Sequence, residues 1–462
     1  MSNIVQYDIA PWRDDVFSFG GAVAFAHKQS GNTFLISPIG TSIILSSDLI
    51  TQLVEKKPSE MLRQKLNARG FDGTKQRPSV CNATKYEPEF LMIDITTKCN
   101  MNCFYCLRHF EDSGNNISDE TLTKILEYIV EYYRLTRKPL TIQPWGGEPL
   151  VALEKIFFID DYLKKADVRF HLLIQTNGIL LTDEVARQLH DRNIDVGVSI
   201  DGCQTIHDMH RKDLGYQPTY DKVCDSIKHL KQYYGTRFGT ISVISRDSMM
   251  VLEESFDVLV KDLGISTLKF NFLHPNTDLF DMSNVLDDSC IYDFWKRVID
   301  KLLSLNDEGF NCLESNLFDK LLNLLIGSCG DICHSNGCTG GYNLVSFSQE
   351  GDIFPCEMIG NDEYRMGNVA ENIPLPELIK ANSQHNRYFC EKKSDKCSRC
   401  PWKCFCRGGC TAAARFYGKN VGEIDPKECA SNCVLYPLLI ETVLSDIKSV
   451  ELLTNRKISN YN

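Results

Sequence analysis

Between Phe90 and His274, six apolar runs of strand length alternate with amphipathic stretches, and this alternation constrains the fold more than any other feature. The runs are Phe90–Ile95, Leu140–Gln143, Phe170–Gln175, Val196–Ile200, Thr240–Ile244 and Thr267–Phe272. Between them lie Asp119–Tyr133, Leu153–Lys164, Asp183–Leu189, Tyr220–Tyr234 and Met249–Leu263, with the character of surface helices. Strands that alternate with helices imply parallel βαβ units. An open doubly wound sheet and an incomplete barrel both satisfy the pattern. Both place chemistry at the C-terminal ends of the strands.

Cysteine usage narrows the chemistry. The chain has 20 cysteines in 462 residues, and most fall in two dense groups. The N-terminus, Met1 to Asp15, carries Asp8, Asp14 and Asp15 and no apolar run, so no signal peptide is expected. No apolar stretch reaches the length of a bilayer span. A cytoplasmic protein is expected, and in a reducing cytosol clustered cysteines bind metal or do chemistry. The net charge of -11 argues against a nucleic-acid partner.

The first group follows the first strand: Cys99, Cys103 and Cys106, spaced C-x3-C-x2-C. Three thiolates on one loop can ligate three irons of a [4Fe–4S] cube and leave the fourth open. A closed zinc site wants a fourth ligand, and the nearest histidine, His109, fits it poorly. Later strand ends carry Trp145-Gly146-Gly147-Glu148-Pro149, Gln175-Thr176-Asn177-Gly178, and Ser199-Ile200-Asp201-Gly202 followed by His207-Asp208-Met209-His210-Arg211. Glycines let backbone approach a ligand closely. Glu148 offers a negative partner for an ammonium, and Arg211 a fork for a carboxylate.

Together these motifs resemble the radical S-adenosylmethionine (SAM) superfamily. The resemblance implies a partial (β/α)6 TIM-like barrel over 89–280, with SAM chelating the open iron. It assigns SAM contacts to Tyr105, Gly146, Gly147, Glu148, Asn177, Ser199, Asp201 and Arg211. Read from the residues alone, core packing is the alternative for Tyr105 and a turn with Gly202 the alternative for Asp201, while His207 and His210 read as structural.

The second group comprises Cys338 and Cys356, then Cys397, Cys400, Cys406 and Cys410 in C-x2-C-x5-C-x3-C spacing, then Cys429. It resembles the SPASM domain, here 329–440, which holds two auxiliary [4Fe–4S] clusters. The family topology would give one cluster Cys333, Cys338, Cys356 and Cys410, and the other Cys397, Cys400, Cys406 and Cys429. Cys329 could replace Cys333. Cys404, Cys433 and the scattered Cys81, Cys203, Cys224, Cys290, Cys312 and Cys390 are expected to be buried structural thiols. Glu357, after Cys356, stands where related sulfatase-maturating enzymes carry an aspartate base; a surface or hydrogen-bonded glutamate suits the residue as well.

Residues 1–88 read as a small α+β module: strands at 23–26 and 33–36 around Ser30-Gly31-Asn32, a helix beginning at Ser46-Ser47-Asp48, and another from Ser59 to Ala68. A helical connector is expected over 281–328, and a helix from Leu435 into a tail, 441–462. The module loosely resembles the recognition modules of ribosomal-peptide maturases, which add a leader peptide to a sheet edge. The expected function is a crosslinking peptide maturase with SAM and three [4Fe–4S] clusters. Its partners would be a precursor peptide and an electron donor such as flavodoxin or ferredoxin. A formylglycine-generating sulfatase-maturating enzyme and a non-catalytic iron–sulfur or zinc scaffold are the alternatives.

Overall fold

Hydrogen bonding joins the six expected strands, in chain order, into one parallel sheet. They span Phe90–Thr96, Leu140–Gly146, Phe170–Thr176, Ile194–Ser199, Gly239–Ile244 and Thr267–Phe272. The computed structural model describes residues 3–10, 12–14, 16–75, 86–107, 114–275, 282–327, 333, 338–360, 362–383, 395–420 and 423–457. The first strand is flanked by the second and is buried on both faces, with Leu91, Ile93 and Ile95 on one and Met92 and Asp94 on the other. Burial on both faces is the condition of a parallel sheet covered by helices. The helices supply that cover: Asp119–Thr136 starts on a Ser118 cap that accepts from Thr121 N, and buries Leu122, Ile125, Leu126 and Ile129. This is the α/β architecture with a parallel sheet expected from the sequence.

The sheet is longer than the six runs. Leu313–Glu314, inside the expected helical connector, pairs with the sixth strand. At the other edge Leu344–Phe347 pairs parallel with the first strand, and Asp352–Phe354 and Gly367–Asn368 continue antiparallel. The cysteine-rich region is therefore hydrogen-bonded into the barrel sheet. The Met249–Leu263 stretch is one rod in three geometries: a 3-10 turn at Asp247–Val251, an α-helix at Leu252–Phe256, and a π-type segment at Asp257–Asp262.

The N-terminal module is a four-stranded antiparallel sheet, ordered Ile4–Ile9, Ala22–His27, Thr33–Ile36 and Ser42–Leu45, backed by helices Ser47–Val54 and Glu60–Ala68. One face, with Ala24, Leu35, Ile43 and Leu45, packs on its own helices. The other presents Phe25, Phe34 and Ile36 to the main core. Phe25 stacks on Trp402 with centroids 5.0 Å apart, and Trp402 stacks on Tyr436 at 5.3 Å.

The C-terminal helix differs from its expected start at Leu435. It spans Pro426–Ser445, with Asp425 accepting from Lys427 N and Glu428 N and proline in the first turn. It crosses the expected 440/441 boundary, and a second helix, Ile447–Thr454, follows. A helix N-terminus at Pro426 puts Cys429 and Cys433 one turn apart on one face.

Candidate active site

The cysteine loop is held by two strand ends far away in sequence. Gly147 N donates to Thr96 O and Glu148 N to Lys98 O, both at 2.9 Å. A Cβ on Gly146, whose φ is +149°, would sit 2.0 Å from the Thr96 carbonyl oxygen. One on Gly147 would sit 2.0 Å from Lys98 O and 3.1 Å from the Cys99 Cβ. Only glycine permits this seam. On the other side, Met101–Cys103 pairs antiparallel with Arg211–Asp213, placing Arg211 opposite Cys103. Neither strand of this ribbon exceeds three residues, too few to register as an alternating pattern.

Glu148 is 1% exposed. Its Oε1 accepts from Thr176 Oγ1 (2.6 Å) and Leu150 N (3.0 Å), and its Oε2 from Asn177 N (2.7 Å). Burial pushes its pKa up against these three bonds. A carboxylate offers about four acceptor positions, which leaves room for a ligand ammonium. Asn177 is held by its Nδ2 donating to Asn100 Oδ1 at 2.7 Å, and Ser199 Oγ accepts from Gln175 Nε2 at 3.1 Å.

Asp201 is the hub of the arginine side. Its Oδ2 accepts from Tyr105 Oη (2.6 Å) and faces His210 Nδ1 (3.2 Å); its Oδ1 accepts from Val243 N (2.9 Å) and faces Arg211 Nε (3.2 Å). Burial would raise its pKa, but the Arg211 guanidinium and the His210 bond hold it well below the usual carboxylate range. Asp201 thus orients Tyr105, which lies under Arg211 with the guanidinium carbon 5.3 Å from its ring centroid. His207 is fully buried, accepts from Asp201 N at 3.3 Å and meets Thr219 Oγ1 at 3.1 Å; burial lowers its pKa to about 4. Both histidines are committed to protein partners.

Cys338, Cys356 and Cys410 stand close enough for their charges to interact. Two take backbone N–H bonds at sulfur: Met358 N to Cys356 at 3.2 Å and Ala413 N to Cys410 at 3.4 Å. The wall of a cavity of about 910 Å³ includes Cys333 and Cys410 together with Tyr105, Cys106 and Leu107. Met358 also lines that wall, while Glu357 stands beside Cys356. Cys329 and His109 lie outside the described residues.

A further cysteine stands beside the remaining set. Cys433, expected to be buried, is exposed and within hydrogen-bonding reach of Cys400 and Cys429. Its thiol hydrogen bond lowers the pKa of each of those two to about 6, helped by the nearby Lys396 ammonium. Cys406 instead faces Glu428, Lys320 and Asn432, and burial raises its pKa to about 11. The i, i+4 spacing of Cys429 and Cys433 was the available signal, legible only once the helix is known to start at Pro426. Cys404 is half-buried and donates to Pro38 O at 3.4 Å. Of the scattered cysteines, Cys203 and Cys312 are buried and Cys224 and Cys290 half-buried; Cys81 and Cys390 lie outside the described residues.

Among the described residues, no three Cys, His, Asp or Glu side chains close on a single ion. The thiolates of an iron–sulfur cube bond different irons, and the glycine-lined seam behind Cys99 gives such a group a backbone-walled seat. The donor set fits.

Comparison with known proteins agrees. Residues 93–259 match the radical SAM superfamily model. A cysteine-type anaerobic sulfatase-maturating enzyme of Clostridium novyi is 27% identical over 331 residues, 68% of this chain and 85% of that protein. The structure of anSMEcpe with bound AdoMet and the Cp18Cys peptide superposes with TM-score 0.66 at 22% identity, covering 78% of this chain and 99% of that one. Streptococcus suis SuiB bound to S-adenosylmethionine gives TM-score 0.56 at 15% identity, covering 87% and 97%. Among the described residues, no helix is long and apolar enough to cross a membrane.

Proposed function

We propose that this chain, which carries a radical SAM domain at residues 93–259, is a maturase that oxidatively crosslinks a ribosomally made peptide, through a thioether or a carbon–carbon bond. As a radical SAM enzyme it uses SAM and a [4Fe–4S] cluster, and its homologues modify peptides or proteins. The observation that carries the reading is the cavity of about 910 Å³ whose lining includes Tyr105, Cys106 and Leu107 together with Cys333 and Cys410.

Cys99, Cys103 and Cys106 would hold the SAM-binding cluster. Cys333, Cys338, Cys356 and Cys410 would hold a second, and Cys397, Cys400 and Cys429 with Cys406 or Cys433 a third. Bound there, SAM and the cluster supply a 5′-deoxyadenosyl radical able to take a hydrogen atom from an unactivated carbon. The protein does the positioning. Glu148 and Asn177 would receive the methionyl ammonium, and Arg211, aimed by Asp201, its carboxylate. Gly146 and Gly147 close the seam behind the loop.

The extra N-terminal sheet supports a peptide substrate, since an antiparallel sheet can accept an extended strand at an edge. Similarity to the cysteine-type sulfatase-maturating enzyme favours a second reading, oxidation of a protein cysteine or serine to formylglycine. Anaerobic co-expression with a short peptide encoded beside the gene separates them. A loss of two hydrogens per site without aldehyde reactivity supports crosslinking; an aldehyde supports formylglycine chemistry. A protein that releases no 5′-deoxyadenosine from SAM refutes both.

A further inference from the structure

The proposed oxidation leaves one electron of the peptide on a cluster, and that electron must leave the protein before the next turnover. The third cysteine set faces outward. Cys433 is exposed, with Cys400 and Cys429 half-buried within its reach. None of these three lines the barrel cavity that carries Cys333 and Cys410. Cys429 instead lines a separate surface recess of about 450 Å³.

The surface around these sulfurs is basic. Lys396, Arg399, Lys403 and Lys419 are all exposed. Lys396 and Lys419 line the recess with Cys429, and the Lys396 ammonium stands beside the Cys429 sulfur. Lys403 Nζ reaches back to donate to Ser398 O at 3.3 Å, which sets its charge next to Arg399. Among the described residues neither Arg399 nor Lys403 forms an ion pair. Two nearby acids are matched by lysines from within: Asp288 accepts from Lys427 Nζ and Glu428 from Lys320 Nζ, both at 2.6 Å. Glu423 is held by Asn420 Nδ2 at 2.8 Å. Four exposed cations therefore stand against Glu423 and Asp395. The chain as a whole carries a net charge of -11, so an acidic protein is repelled by most of its surface and drawn to this face.

We propose that the face formed by Lys396, Arg399, Lys403 and Lys419 around the exposed Cys433 is the docking surface for an acidic one-electron carrier protein, which removes the electron that the peptide leaves behind. The inference rests on the third cluster of the proposed function. One electron moves, and no bond of the chain forms or breaks. The cluster is oxidised by one electron, and the carrier's flavin is reduced by one, with a proton from water. The four cations orient the carrier so that its flavin faces the Cys433 side of the set.

The test uses full-length, iron-loaded protein, with flavodoxin as the probe. Iron for three clusters and release of 5′-deoxyadenosine by the wild type check the underlying reading; without them both fall. Calorimetry at low salt should show flavodoxin binding that weakens steeply as salt is added. Arg399→Glu/Lys403→Glu and, separately, Lys419→Glu should slow association about tenfold or more, and pre-reduced protein should reduce the flavin correspondingly more slowly in stopped flow. Iron content, dithionite-driven SAM cleavage and affinity for the peptide encoded beside the gene should stay within about twofold of wild type. Lys228→Glu, a charge reversal on the barrel helix Tyr220–Tyr234, should leave flavodoxin binding unchanged. The proposal is overturned if wild-type protein does not bind flavodoxin, if the double variant associates within about twofold of the wild-type rate, or if Lys228→Glu loses as much. A matching loss of peptide affinity also overturns it, by making this face a peptide site. So does a matching loss of iron, which would make these residues structural.

Discussion

Replacing Asp201 by asparagine removes one charge and leaves the shape almost intact, so it isolates what that charge does. The Asp201 side chain is 0% exposed and its partner Arg211 8%. In Asp201→Asn the guanidinium remains buried without its counter-ion, a change that costs about 3–5 kcal/mol when one partner of a buried pair is removed. The amide Nδ2 can no longer accept, so either the Tyr105–His210 side or the Val243–Arg211 side loses an acceptor and adds to the loss. Removing both charges is different, because a buried pair repays little more than its desolvation. Asp201→Asn/Arg211→Met should therefore be less destabilised than Asp201→Asn alone, a coupling of about 1–3 kcal/mol. Urea denaturation under anaerobic conditions, followed by tryptophan fluorescence, reads the four corners of the cycle. SAM binding should be lost in every variant, since Arg211 is mis-aimed or absent. Additive losses across the cycle, or an Asp201→Asn midpoint equal to wild type, would refute the assignment of Asp201 as the counter-charge that holds Arg211.

Cys433→Ala should lower the iron content by close to one cluster while sparing SAM cleavage, and a full complement in anaerobically purified protein would exclude it as a ligand. Phe25→Ala opens the Phe25–Trp402–Tyr436 stack and should cost about 3–5 kcal/mol of stability; a denaturation midpoint unchanged from wild type would show that the N-terminal sheet does not share the main core. Glu314 is fully buried, and burial pushes its pKa from 4.5 up to about 7 although Phe270 N and Leu317 N donate to it. Its folded pKa exceeds the unfolded one, so the folded state holds the extra proton and stability falls as pH rises between those values. Glu314→Gln should flatten that decline, and parallel pH–stability curves for the two proteins would rule out the linkage.

What local spacing can encode was legible from the chain alone. Six apolar runs separated by helical stretches required a parallel sheet. C-x3-C-x2-C required a loop offering three thiolates, and Gly146-Gly147-Glu148 a close backbone approach beside an acid. These follow from bond geometry and side-chain periodicity within a few residues. The contacts that decide the site join residues distant in sequence, and no local preference marks them. Arg211 meets Cys103 across a ribbon three residues long, too short to register as strands. Asp201 reads as a turn residue until Tyr105, His210, Val243 and Arg211 converge on it from four segments. Cys433 reads as a spare thiol until the Asp425 cap starts the helix at Pro426 and turns Cys429 and Cys433 to one side. The N-terminal strands were visible as a hairpin, but only packing reveals that Phe25 lies on Trp402, because burial of an aromatic face requires a partner surface that another part of the chain supplies.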